Sequence, residues 1–176
     1  MEESYPAKLL LFGEYSILEG SSAIAMPYPA FYAKWSRRPN PPINQGLMLY
    51  LQEKPETIES LHFQLHSCLQ DAAEGQFVES NIPVGYGLGS SGAYVAALVA
   101  RYGETAHLTD VALRMHLGEI ESFFHGQSSG LDPFISLKQC SYFIRNTEIQ
   151  KISSWDGVDI SLIDSGIRRK TEPLVS

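Results

Sequence analysis

A chain of 176 residues with 44% apolar and 19% charged residues can form one ordinary domain, or one plus a piece of another, and is not disordered in composition. The net charge of −7, with Arg168-Arg169-Lys170 as the densest basic run, argues against a nucleic-acid partner and against a polybasic anchor. No apolar run approaches the ~20 residues that span a bilayer, so no membrane partner is expected.

The N-terminus, Met1-Glu2-Glu3-Ser4, lacks the basic start of a signal peptide. Lys8 to Phe12 is a short apolar run ending at Gly13 and reads as a strand. Ala23 to Met26 and Ala30 to Trp35 read as two further strands, separated by Pro27 and Pro29. Ser36 to Gly46, with three prolines, reads as a loop. Thr57 to Ala73 places Ile58, Leu61, Leu65, Leu69 and Ala72 at helical spacing. Cys68 falls on that helix as a small core residue; it and the distant Cys140 suit a reducing cytosol better than a disulfide framework, so the expected setting is cytoplasmic. Phe77 to Val84 fits a half-exposed strand, and Tyr94 to Tyr102 an Ala-rich helix. Thr109 is a plausible N-cap for a helix over Asp110 to Phe124. Phe134 to Leu137, Tyr142 to Ile144 and Ile160 to Ile163 read as strands.

The segment Pro83-Val84-Gly85-Tyr86-Gly87-Leu88-Gly89-Ser90-Ser91-Gly92-Ala93 carries the most chemistry. Four glycines allow sharp turns and close approach to a ligand. A Gly-rich loop running into a helix start is an anion site, because unpaired N–H groups and the positive dipole end converge there. Phosphate is the natural guest, and Ser90 or Ser91 could also hold a phosphate-bound Mg²⁺. The dinucleotide fingerprint G-x-G-x-x-G fits Gly87 to Gly92 but lacks the buried apolar strand that should precede it. Walker A fails because no lysine precedes the serines. A plain serine-capped turn is the bland alternative.

A second cluster runs from Glu121 through His125-Gly126-Gln127-Ser128-Ser129-Gly130-Leu131-Asp132. Glu121 falls near a helix C-terminus, where the dipole disfavours a carboxylate unless a cation sits nearby. Asp132 follows a small, glycine-rich turn that can present it into a cleft; a solvated helix end and an ordinary Asp turn are the alternative. Lys8, opening a buried strand, either points into a site or snorkels to solvent. His62 and His66 have the i, i+4 spacing of a metal pair but no acidic partner between them, which favours ordinary surface histidines.

These pieces occur together in one family. The sequence resembles the GHMP small-molecule kinases (galactokinase, homoserine kinase, mevalonate kinase and phosphomevalonate kinase). Pro6-Ala7-Lys8-Leu9-Leu10-Leu11-Phe12-Gly13-Glu14-Tyr15 is similar to P-G-K-x-x-L-x-G-E-H, and Pro83 to Ala93 to P-x-x-x-G-L-G-S-S-A-A. The Glu121–Asp132 block is similar to E-x-x-x-H-G-x-P-S-G-x-D, which points to the mevalonate kinase branch. Asp164 to Thr171 is a weaker match to D-T-G-x-x-R-x-T. Ala7 stands where the pattern has Gly, Tyr15 where it has His, Gly92 where it has Ala, and Ser128 where it has Pro.

The resemblance implies an α+β fold, with an N-terminal domain like ribosomal protein S5 domain 2 over residues 1–156. Residues 157–176 would begin a C-terminal domain that is largely missing, so a truncation or fragment is expected. It implies ATP-dependent phosphorylation of a small-molecule alcohol, mevalonate first, by ATP with Mg²⁺. Gly85, Gly87, Leu88, Gly89, Ser90, Ser91 and Gly92 would form the phosphate loop. Ser91 (Ser90 as second choice) and Glu121 would hold Mg²⁺. Asp132 would accept or orient the hydroxyl proton, with Lys8 beside it. Glu14, Tyr15, His125, Gly126, Arg169 and Thr171 would meet the substrate. Another kinase or decarboxylase of the family, or a non-catalytic nucleotide-binding module, stands as the alternative, and a homodimer stays open.

Overall fold

The computed structural model of the protein describes residues 3–13, 21–41, 44–153, 159–164 and 166. In chain order the elements are β1 (Ser4–Phe12), β2 (Ser22–Arg37), α1 (Gln45–Gln52), α2 (Pro55–Ser60), α3 (Leu65–Ala73) and β3 (Gln76–Ser80). They continue with α4 (Ser90–Tyr102), α5 (Asp110–His125), α6 (Leu131–Lys138), β4 (Ser141–Arg145) and β5 (Glu148–Ile152). The fold is α+β: one antiparallel sheet in the order β1-β2-β4-β5, with helices packed on it. β3 pairs with the C-terminal half of β2, from Ala33 to Arg37, and β4 with its N-terminal end, from Ser22 to Ala25.

The two strands expected around Pro27 and Pro29 are one 16-residue strand, β2. Its pairing to β1 jumps from Pro6↔Tyr32 to Ala7↔Tyr28, so a bulge absorbs the residues between. Both prolines lie in the stretch of β2 between its pairings with β4 and β3, where a missing N–H breaks no ladder bond on that edge.

The single helix expected over residues 57–73 is two, α2 and α3. The chain turns between them at His62, with φ 44°, which buries Leu61 and Phe63 and lets Gln64 N–H donate to the Tyr102 carbonyl at 2.8 Å. α1, which the loop reading of residues 36–46 overlaps, starts where the Asn44 side chain accepts from Leu47 N–H, and buries Leu47, Met48 and Leu51. Thr109 caps α5 as expected, accepting from Ala112 N–H.

Phe134–Leu137 is not a strand but the body of α6. Gly130, in the left-handed region at φ 71°, opens the helix, and Pro133 sits in its first turn, where no N–H donor is needed. A four-residue apolar run carries no period that separates strand from buried helix, and here Phe134 and Ile135 are both fully buried. β5 was not anticipated. Ile160–Ile163 forms no strand, and Ile163 is exposed.

α4 is the central helix. Ala93, Ala96 and Ala97 lie against Tyr5, Ala7 and Ala33 of the sheet, where small side chains let the helix come close. Its other face, Val95, Leu98, Val99 and Tyr102, joins the main core with Leu113, Leu117 and Ile120 of α5 and Phe134 of α6. Among the described residues, no helix is long and apolar enough to cross a membrane.

Candidate active site

The glycine loop connects β3 to α4. Gly85, Gly87 and Gly89 take φ values of 85°, 72° and 74°, a region that residues with a Cβ enter only with strain. Nothing lies within 4 Å of the place a Gly87 Cβ would take, so its glycine is required by the backbone turn rather than by crowding. The loop is pinned to the sheet where Lys8 N–H donates to the Leu88 carbonyl at 2.9 Å. Gly89 occupies the N-cap of α4 and no side chain caps that helix start. The N–H groups of the first turn of α4 are therefore presented to whatever anion enters.

Three elements bring ionisable groups to this helix start. From β1, the buried Lys8 extends its ammonium to Asp132, Nζ to Oδ1 at 2.8 Å. Asp132 stands in the first turn of α6, where the helix dipole favours its charge. From the last turns of α5, Glu121 is buried and accepts from Ser91 Oγ at 2.9 Å through Oε1 and from Ser128 Oγ through Oε2. His125 Nε2 lies 2.9 Å from Ser91 Oγ; with the serine proton on Glu121, the imidazole is the donor in that contact. Burial pushes the Glu121 carboxyl up to about 7; the Asp132 charge adds to this, and hydrogen bonds from Ser128 and Ser91 together with the Lys8 charge act against it.

Gly92 sets the spacing. A Cβ there would lie 2.6 Å from Asp132 Cβ and 2.7 Å from the Pro133 nitrogen, so α4 and α6 meet backbone to backbone at the site. The sequence placed Gly92 in the phosphate loop and as a departure from the pattern's Ala, but did not show this close approach of α6.

The expected residues Lys8, Gly85, Gly87, Leu88, Gly89, Ser90, Ser91, Gly92, Glu121, His125 and Asp132 thus gather at one end of α4. Of the two serines, Ser91 is the one on Glu121. His125 was expected at the substrate and its ring sits on Ser91. Gly126 follows as the C-cap of α5 at φ 74°. Glu14, Tyr15, Arg169 and Thr171 lie outside the described residues. Ser128 was not singled out as a site residue; its one signal was that it replaces the proline of the pattern.

The histidine pair does not form a metal site. The turn at His62 takes it off the helix of His66; its Nδ1 lies 3.1 Å from Glu104 Oε2, and its ring stacks on His107. Among the described residues, no group of three or more His, Cys, Asp or Glu is placed to hold a metal ion. A hollow of about 370 Å³ including its open mouth lies elsewhere, lined by Trp35, Met48, Cys68, Tyr94 and Tyr102 among others.

The donor set fits Mg²⁺ with phosphate. Glu121 and Ser91 offer hard oxygens of the kind this ion takes in small number beside phosphate oxygens. A buried carboxylate facing a second one is relieved by a divalent cation, and an uncapped helix start takes an anion.

Residues 49–139 match the family model described as the GHMP kinases N terminal domain. The chain belongs to the GHMP kinase family. The match takes in the glycine loop and Asp132, while Lys8 lies before it. The chain is 27% identical over 143 residues to the mevalonate kinase of Archaeoglobus fulgidus, covering 77% of this chain and 50% of that protein. It is 30% identical over 162 residues to the mevalonate kinase of Pyrococcus abyssi, covering 76% and 48%. The chain therefore spans about half the length of the curated relatives it matches.

The GHMP fold is also seen in solved structures. The Methanococcus jannaschii mevalonate kinase superposes with a TM-score of 0.53 at 18% identity, covering 88% of this chain and 56% of that one. The mevalonate kinase of Staphylococcus aureus MRSA252 gives 0.51 at 19%, covering 86% and 54%. At such identities the likeness concerns the fold alone.

Proposed function

We propose that the protein is a GHMP kinase that transfers the terminal phosphoryl group of ATP to a small-molecule alcohol, and that the alcohol is mevalonate. The observation that carries this reading is the convergence of two oxygen and charge pairs on one glycine-loop helix start: Lys8 with Asp132, and Ser91 with Glu121. The choice of mevalonate rests on the Glu121–Asp132 block and on the relatives, which are named mevalonate kinases.

When bound, Mg·ATP would supply an electrophilic phosphoryl group whose charge the metal partly neutralises. The chain's own groups do the rest by position and charge, as phosphoryl transfer mostly requires. Backbone N–H groups from Gly87 to Ser91 hold phosphate oxygens. Glu121 and Ser91 hold the cation. Asp132 accepts or orients the proton of the attacking hydroxyl. Lys8 holds Asp132 in place by their ion pair and stabilises the alkoxide as it develops. Glu14, Tyr15, His125, Gly126, Arg169 and Thr171 would meet the substrate. The division of the chain after residue 156 belongs to the same proposal, the last strand among the described residues ending at Ile152.

The test is a substrate panel with coupled ADP detection: mevalonate, phosphomevalonate, diphosphomevalonate, galactose and homoserine, each with and without Mg²⁺. The proposal expects Mg²⁺-dependent ADP release with mevalonate above all others. Preference for another alcohol would move the chain within the family, and ADP release with none would leave a nucleotide-binding module.

A further inference from the structure

Ser128 stands where the family pattern has proline, a residue with no side-chain donor. In this chain its hydroxyl does two things at once. It donates to Glu121 Oε2, and it accepts from Gly130 N–H at 3.0 Å. Glu121 is 4% exposed, so its second oxygen has little access to water, and Ser128 meets it there. Ser91 occupies Oε1, so the two serines hold the carboxylate from both sides.

The second bond ties this carboxylate to another part of the site. Gly130 is the N-cap of α6, and Asp132 lies in the first turn that follows. Gly130 packs directly against α5, since a Cβ on it would lie 1.9 Å from the Arg114 carbonyl oxygen. One hydroxyl thus joins the last turns of α5 to the helix start that carries Asp132. Ser129 adds a parallel contact, its Oγ accepting from Leu131 N–H at 3.3 Å.

We propose that Ser128 is a positioning residue for the divalent-cation site: it aims the Glu121 carboxylate and fixes it relative to the Asp132 turn. The inference rests on the reading of Glu121 as a metal-holding group. Ser128 acts through Glu121 and does not itself touch the phosphates. Hydrogen-bond partners of metal ligands commonly set cation affinity by about 10- to 100-fold.

The experiment is a Mn²⁺ titration of the 176-residue chain in the presence of ADP, followed by calorimetry and by electron paramagnetic resonance of the free ion. Wild type, Ser128→Ala, Ser128→Thr and Glu121→Gln are compared, with near-ultraviolet circular dichroism as the check on folding. Ser128→Ala is expected to weaken Mn²⁺ binding about 10-fold or more, and Ser128→Thr, which keeps the hydroxyl, to stay close to wild type. If Ser128→Ala does not fold, Ser128→Cys replaces it, since a thiol is a similar size but a weak donor. Unchanged Mn²⁺ affinity in the folded Ala or Cys variant, with Glu121→Gln impaired, overturns the role of Ser128 alone. Unchanged affinity in Glu121→Gln, or no binding by wild type, overturns the metal reading and this inference with it.

Discussion

Lys8 Nζ sits 2.8 Å from Asp132 Oδ1, joining the first strand to the first turn of α6 across the end of α4. The lysine side chain is 8% exposed and the aspartate 28%, so the pair is less screened than a surface ion pair. Lys8→Met keeps the stem and removes the ammonium. Turnover is expected to fall by about 10²-fold or more, in line with the loss of one transition-state donor, while nucleotide affinity changes little. Steady-state rates and a separate nucleotide titration check this; a variant with more than about a tenth of wild-type turnover would count against Lys8 in that role.

Gly92→Ala separates helix propensity from site geometry. Alanine inside a helix is ordinarily favoured over glycine by about 1 kcal/mol. Here the new methyl would meet Asp132 Cβ at 2.6 Å and, at 2.7 Å each, the Asp132 carbonyl carbon and the Pro133 nitrogen, which are helix backbone with little freedom to move. The expected outcome is a net loss of about 1–3 kcal/mol, the usual range for overpacking, together with reduced turnover. The urea midpoint of the variant measures it. A variant as stable as wild type would mean that α6 has room to retreat from α4.

Stability should also carry the mark of Glu121. Its folded-state carboxyl is raised from 4.5 to about 7, mainly by burial and then by the Asp132 charge. Between those values the folded chain keeps a proton that the unfolded chain has released. This group therefore costs stability progressively as pH rises from about 4.5 to about 7, and no further above it. In metal-free buffer, Glu121→Gln should gain on wild type across that window. Urea titrations at pH 4.5, 6 and 8 with a chelator present test this; a gap between the two proteins that stays constant with pH contradicts it.

Much of the site was legible because it is built from short, ordered blocks. Lys8, the glycine loop, Glu121 and Asp132 each lie in a motif, and their order along the chain pointed to their convergence. The fold was less legible wherever tertiary packing overrides a local pattern. Phe134 to Leu137 has no period to distinguish strand from buried helix, and the αL turn at Gly130 decides the matter. The helical spacing from Ile58 to Ala72 does not hold as one face: the chain turns at His62, Leu61 and Phe63 are buried on either side of the turn, and on α3 Cys68 is buried while Leu69 is exposed. Pro27 and Pro29 read as strand ends, yet a bulge and an unpaired edge accommodate both. Ser128 was visible as a departure but not as a site residue, because a serine between glutamine and serine looks like turn chemistry until its hydroxyl is seen on a buried carboxylate.

The most direct test of the account is product formation by Asp132→Asn. With radiolabelled ATP, Mg²⁺ and mevalonate, wild type should yield phosphorylated mevalonate, while the asparagine variant should lose about 10²- to 10⁴-fold in rate, as loss of a general base does, and still bind nucleotide. Phosphorylated mevalonate formed by Asp132→Asn at more than about a tenth of the wild-type rate would contradict the central claim that Asp132, held by Lys8, handles the proton of the accepting alcohol.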